Sequence, residues 1–335
     1  MSNVSEQGQD AFCKEQIRLK IWERVGYDPA QDPCNEYGYI PSLSFGIAFT
    51  ISFAILTLVL TGQTFYSKRW ALLTLTVGGL TEVVGWIARL ISHNNPLDDG
   101  PFTAQTSTLI LGPSLFSAAL YLSFGAIIVH LGPQYSLLKP KLYGFVFIGA
   151  DVISCTLQGV GGGLCASADD NDSLKLGTSI MESGIVFQLA ATIVFAFLAL
   201  DFRRKAKKDG ALPARGTPLW WLEVALAVGT GAIIIRGIYR TIELGQGWAG
   251  YTARHESFIL FDAVPMVILL IALALAHPLW TLPLPGKHVP SLMRKLSMKM
   301  DRRSHIPLDT KSTVEFKPLV DKEGHFDAAE KVTTV

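Results

Sequence analysis

The sequence predicts an all-α, polytopic membrane protein, a seven-transmembrane-helix bundle with its N-terminus outside and its C-terminus in the cytosol. Three observations predict it. The 335-residue chain is 49% apolar and only 17% charged, whereas an average globular chain is about 25% charged. Its charges are crowded into a few segments, so that Ile40 to Ser67, Gly100 to Leu138 and Ala263 to Gly286 contain no Asp, Glu, Lys or Arg. Each run exceeds the roughly 18 residues at which a membrane span becomes the default reading. The runs are also apolar all round, unlike a helix with one face in water. With 29 Lys plus Arg against 28 Asp plus Glu, the net charge is +1, which excludes an electrostatic nucleic-acid binder.

Along the chain, residues 1–39 form an extracellular tail without an apolar h-region, so no cleavable signal peptide is expected and the first span must direct insertion. The membrane domain, residues 40–276, follows with seven spans: Ile40 to Gly62, Trp70 to Ile91, Thr106 to Leu131, Leu142 to Leu164, Thr178 to Leu200, Trp221 to Ile242 and Glu256 to Ala276. Tyr39, Trp70, Trp220, Trp221 and Trp280 at their edges suit interfacial belts. Connections one, three and five together with the C-terminal part carry 20 Lys and Arg, against 6 on the other side. Since translocating positive charge is disfavoured, the richer side is expected in the cytosol. Residues 277–335 are then a cytosolic tail. In it Arg294, Lys295, Lys299, Arg302 and Arg303 interleave with Leu and Met, which suits an anionic inner leaflet, and the stretch from Asp309 is polar and expected to be disordered.

Two glycosylation sequons, at Asn3 and Asn171, fall on the expected outer side. Three of the four cysteines do too. Cys34, just before span one, and Cys165, just after span four, could pair there, or all could be free thiols, because sequence alone does not fix connectivity.

Motifs that would make this an enzyme are missing. The only Gly-Lys pair, Gly286-Lys287, is not part of a P-loop. His255-Glu256 opens like a zinc-protease motif, but Ile259 stands where the second His belongs. The Gly159 to Gly163 run has Leu164 in the last glycine position of a dinucleotide fingerprint. No cofactor and no metal site is therefore expected.

What the spans do carry is charge. An ionisable residue at the centre of a span costs about 2.5 to 3.5 kcal/mol on insertion scales, so it calls for a partner or an aqueous cavity. Glu82 and Arg89 are seven apart, as are Asp151 and Gln158, and Arg236, Arg240 and Glu243 form one helical stripe. With the expected orientation, Arg89, Glu182, Arg236, Arg240, Glu243, Glu256 and Asp262 lie in the outer half or at its edge. Glu82 and Asp151 lie near the middle, and the inner half holds little beyond Glu223. Arg236 and Asp262 each fall about 9 Å below the outer edge, which permits a pair across spans six and seven. Such charges can simply lock helices together; as a set they favour an outward-opening polar cavity. Gly78, Gly79, Gly85 and the Gly159-x-x-x-Gly163 spacing suit close helix contact, and Pro113 and Pro265 suit kinks.

These residues resemble the fungal lipid-translocating exporters, a family that includes aminocholesterol-resistance and sphingoid-base-resistance proteins and a porphyrin-uptake relative. The likeness runs from Tyr39 to about Pro278. It rests on Tyr39-Ile40-Pro41-Ser42, on Glu82-Val83-Val84-Gly85-Trp86 with Arg89, and on Ala150 to Ser154 with Leu157-Gln158-Gly159. It continues in Gly177, Met181, Gly184, Phe187-Gln188, Arg236-Gly237-Ile238-Tyr239-Arg240 with Glu243, then Glu256, Phe261-Asp262 and His277-Pro278. The chain departs from the family pattern at Gly46, where an Asn is expected, and at Ala126, where an Arg is expected. The resemblance implies seven spans, an outside N-terminus, and movement of lipids or amphiphilic small molecules with stress resistance in a fungal plasma membrane. It also brings Tyr239 into the candidate set of Glu82, Arg89, Asp151, Gln158, Arg236, Arg240, Glu243, Glu256 and Asp262. Two functions stay open: a translocator not driven by ATP, and a seven-span sensor acting on resistance through signalling.

Overall fold

The computed structural model describes residues 12–24, 26–29, 31–32, 34–35, 37–68, 70–168, 170–246, 250–251 and 255–277. Asn3, Trp280, the basic segment after the last span and the stretch from Asp309 lie outside the described residues. Among the described residues the chain is helical, with no strand. After a short helical stretch at residues 12–18, seven longer α-helices follow one another among the described residues: α1 Leu43–Ser67, α2 Leu73–Asn94, α3 Asp99–Leu131, α4 Pro140–Ala166, α5 Asn171–Lys208, α6 Pro218–Gly245 and α7 Leu260–Leu275. The first six are long and apolar enough to cross a membrane. The seventh is shorter than the 21 residues expected, because Glu256–Ile259 forms a 3-10 turn and the α-helix begins only at Leu260.

Most helices outrun their apolar cores, since polar residues continue a helix wherever its ends are supported. Asp98 caps α3 by accepting from Gly100 N at 3.1 Å, and Thr217 caps α6 by accepting from Trp220 N at 3.4 Å. Pro140 and Pro218 occupy the first helical position of α4 and α6, where a missing N–H costs nothing. The arginines and lysines from Arg203 to Lys208, expected in a connection, instead form the last turns of α5, where cations complement the helix dipole.

Consecutive helices run antiparallel. The start of α1, the end of α2 and the residues before α7 meet at one end of the bundle through Ser42, Arg89 and Glu256. At the other end, Gln63 near the end of α1 donates to Ala274 O near the end of α7 at 3.0 Å. The first is the cap end, because residues 37–41 pack onto it, and the second the basic end, after the last turns of α5. α3 is central: 67% of its apolar window is buried, against 22% for α1 and α5. Tyr121, Phe124, Tyr143, Phe147, Phe195 and Phe202 interlock between α3, α4 and α5 with ring centroids 4.7 to 6.4 Å apart, a geometry that adds to their burial.

Two cysteine and glycine expectations are corrected. Cys34 is bonded to Cys13, 21 residues earlier in the same segment, so no Cys34–Cys165 bridge exists. Closing that short loop requires no long-range approach. Cys165 is a free thiol, held at the α4–α5 turn 3.5 Å from Thr178 Oγ1. Gly78 and Gly79 do mark close contacts, against Phe116 of α3 and Thr57 of α1, and Gly85 faces Leu109. The tight α4–α5 crossing uses Gly161, Gly177 and Gly184, not Gly159 and Gly163, which face open space. A Cβ at Gly161 would stand 2.5 Å from Met181 N and 2.6 Å from Gly177 O. Replacing Gly161 by Leu is therefore expected to separate the two backbones and destabilise the detergent-purified protein by at least the ~1 to 3 kcal/mol of an overpacked core. Gly159→Leu serves as the matched control, and thermal unfolding should show little change for it.

Candidate functional site

The site is a polar layer at the cap end, and its anchor is one carboxylate. Arg236, Arg240 and Glu243 stand on a single face of α6 because their spacing of four and three residues follows the helical repeat. Asp262 lies in the first turn of α7, where the helix dipole favours an anion, and is 3% exposed. Arg240 grips it with both ends of its fork, Nε to Oδ1 at 2.9 Å and a terminal nitrogen to Oδ2 at 2.8 Å, the planar geometry that suits arginine. Arg236 Nε stands 2.8 Å from the same Oδ1. Thus the expected Arg236–Asp262 pair forms, and Arg240 shares it. Arg240 also donates to Glu243 Oε2 at 2.9 Å, and the Tyr239 hydroxyl donates to Glu243 Oε1 at 2.7 Å.

Pro113 completes this arrangement. Lacking an N–H, it cannot bond the carbonyl four residues back, and that carbonyl, Leu109 O, accepts from Arg236 at 2.7 Å instead. The proline within α3 thereby supplies an acceptor to an arginine of α6.

Arg89 makes a second anchor, 1% exposed. One terminal nitrogen donates to Glu256 Oε1 at 2.8 Å and to the Tyr39 hydroxyl at 3.0 Å. Its guanidinium stands 5.6, 5.6 and 5.9 Å from the ring centroids of Tyr37, Tyr39 and Trp86, within cation–π range. Glu256 Oε1 accepts Ser42 N at 2.6 Å, His93 Nδ1 lies 2.7 Å from Pro41 O, and the Tyr37 hydroxyl lies 2.9 Å from both Ser92 Oγ and Gln105 Oε1. Burial in this packing pushes the Tyr37 phenol up to about 12. The segment before α1 is thus fastened onto α2, α3 and the start of α7.

The remaining candidates sit deeper. Glu82 on α2 is within electrostatic reach of Arg236, Arg240 and Asp262, and Gly112 leaves room for it: a Cβ there would stand 2.5 Å from Glu82 Oε1. Asp151 on α4 accepts from Ser117 of α3. Beside it runs a chain of neutral groups, Gln158 Nε2 to Gln188 Oε1 at 3.2 Å, Gln188 Nε2 to Ser114 Oγ at 2.8 Å and Cys155 Sγ to Ser114 Oγ at 3.0 Å. Among the described residues no group of three His, Cys, Asp or Glu is placed to hold a metal ion.

Between these parts lies a cavity of about 110 Å³. Of the sequence candidates, Arg89, Gln158, Arg236, Tyr239, Arg240, Glu243 and Asp262 line it, and Glu82, Asp151 and Glu256 are not among its lining residues. Its apolar lining includes Ile110, Met181, Ile185, Leu189 and Ile233. Tyr37, Gln105 and Gln188 also line it and were not among the candidates. Amides within apolar spans were the signal available for the two glutamines; Tyr37 carried none, since only the fold brings it to Arg89.

The sequence profile described as RTA1 like protein matches residues 75–284, which takes in the polar layer from Glu82 to Asp262. The chain belongs to the RTA1-like family. Its relatives in Saccharomyces cerevisiae include the sphingoid long-chain base transporter RSB1, 28% identical over 277 residues that cover 72% of this chain and 72% of the relative. Protoporphyrin uptake protein 1 is 28% identical over 274 residues, covering 70% and 89%. Protein RTM1 is 26% identical over 274 residues, covering 69% and 88%. No solved structure matches the chain. As an RTA1-like protein it is a multi-pass membrane protein. Where the sequence has Gly46, a Cβ would stand 2.5 Å from Leu90 Cδ2, so the glycine packs α1 against α2.

The cap is expected to depend on Glu256. Glu256→Gln removes the charge that Arg89 and Ser42 N share, and should raise hydrogen exchange of residues 37–46 at least tenfold with α4 and α5 unchanged. Unaltered exchange in that segment would show that the aromatic packing alone holds it.

Proposed function

We propose that this RTA1-like protein is a plasma-membrane translocator of lipids or amphiphilic compounds that works without ATP. The cavity carries the reading: charged groups of α6 and α7 line it together with apolar side chains of α3, α5 and α6, so a polar head and the start of a hydrocarbon chain find matching surfaces in one place. Membrane lipid can shelter the rest of the chain while the head crosses. Relatives named for sphingoid long-chain base transport and protoporphyrin uptake support amphiphiles as the cargo class.

The orientation follows from the excess of Lys and Arg at the basic end and in the tail. It puts the cap end, with the cavity, outside, and Asn171 at the start of α5 on the glycosylation-competent side. In this reading α7 is a seventh span. Its 16 α-helical residues and four 3-10 residues reach about 32 Å, comparable with the ~30 Å hydrocarbon core. The basic segment beyond it meets the anionic inner leaflet.

A sensor is favoured by one observation: the cavity charges are already paired with one another, as in a site that only registers a ligand. Proteoliposomes free of nucleotide decide between the two. Leaflet exchange of a fluorescent sphingoid base should run several-fold faster with the protein than in empty vesicles, and an Arg236→Gln, Asp262→Asn variant that elutes as the folded protein should lose the acceleration. No acceleration by the folded wild-type protein would leave the sensor reading.

A further inference from the structure

The basic end holds a second cavity, larger than the first at about 250 Å³, between α3, α5 and α6. Phe124, Phe195 and Phe202 of the aromatic cluster form its floor. Small residues open it: Ala196 and Ala199 of α5 lie across from Ala227 and Gly231 of α6, and a Cβ built on Gly231 would meet nothing within 4 Å. From Glu223 to Ile234 it follows twelve residues of α6, a rise of about 16 Å, the depth of one leaflet in a hydrocarbon core of ~30 Å. Water does not fill a space lined this way, since it offers too few polar partners.

Two charged groups stand where the cavity reaches the basic end, Arg203 on α5 and Glu223 on α6. Arg203 acts on Glu223 electrostatically, yet Glu223, half-buried, makes no hydrogen bond or ion pair with a described residue. A carboxylate at the edge of an apolar slot without a close cation is costly. An anionic head would leave it uncompensated, and a purely cationic head would confront Arg203.

We propose that this cavity is a lipid site for one acyl chain of a zwitterionic phospholipid, its ammonium against Glu223 and its phosphate against Arg203. The site does not depend on the translocator reading, because a resident lipid would serve a transporter and a sensor alike.

The test uses the full-length protein in maltoside micelles with three probes bearing the same photoactivatable chain: phosphatidylethanolamine, phosphatidylglycerol and a long-chain amine. Mass spectrometry of labelled peptides should place the phosphatidylethanolamine probe on α5 residues 195–203 and α6 residues 223–234, at least fivefold above the other two. Gly231→Leu, which fills open space, should cut that labelling at least fivefold and leave labelling of lipid-facing Ile51, Ile55 and Leu58 on α1 unchanged. Glu223→Gln should abolish the preference over phosphatidylglycerol. Equal labelling by phosphatidylglycerol in the wild type, stronger labelling by the amine, or indifference to Gly231→Leu would each overturn the assignment. Loss of sphingoid-base flux has no bearing on these readouts, so the two proposals fail separately.

Discussion

Two buried arginines and a partly buried one, Arg89, Arg236 and Arg240, have to be compensated inside an apolar bundle, and Asp262 bonds two of them, with Glu243 supplying the second negative charge. The joint between α6 and α7 at the cap end depends on the Asp262 carboxylate. Because Arg236 and Arg240 both reach it, the start of α7 is fixed against the cap end of α6. Because Arg236 also donates to the carbonyl that Pro113 leaves without a helical donor, α6 is tied to α3 as well. Arg89 repeats the device on the other side, tying α2 to the residues before α7 through Glu256 and to the N-terminal segment through Tyr39. Breaking a buried ion pair from one side costs about 3 to 5 kcal/mol, since it strands the other charge.

These ties decide where the cavity lies. The charges that line the cavity come from α2, α6 and α7, while α4 and α5 contribute to its lining Gln158, Gln188, threonines and apolar side chains. The glycines of the α4–α5 crossing let those two helices pack backbone to backbone and leave the space to the α6 side. An amphipathic cavity is the consequence. Farther down, the aromatic cluster closes the bundle, and beyond it the seam between α5 and α6 opens again with an apolar lining.

Much of this was legible in the sequence, for reasons that particular residues show. The spans stood out because uncharged runs cannot be mistaken for amphipathic helices, but their ends were set too early: polarity alone stops a hydropathy reading at Leu200, while α5 continues to Lys208. The Arg236–Asp262 pair followed from depth. That Arg240 shares Asp262 depends on the reach of a side chain, which spacing does not give. Arg89 with Glu256 spans 167 residues and had no local trace. The cysteine pairing stayed open because three cysteines expected on one side allow several pairings, and only the folded N-terminal segment brings Cys13 to Cys34. In the Gly159 to Gly163 run, composition pointed to a close contact, but the helical phase that selects Gly161 becomes visible only once α5 is in place.

The central claim is that Asp262 exists chiefly to compensate Arg236 and Arg240 together. Thermal stability of Asp262→Asn compared with Asp262→Asn, Arg236→Gln tests it most directly, both as purified full-length protein. The account predicts that the single variant is the less stable of the two, because removing one stranded guanidinium relieves part of the cost. A double variant less stable than Asp262→Asn alone would contradict it.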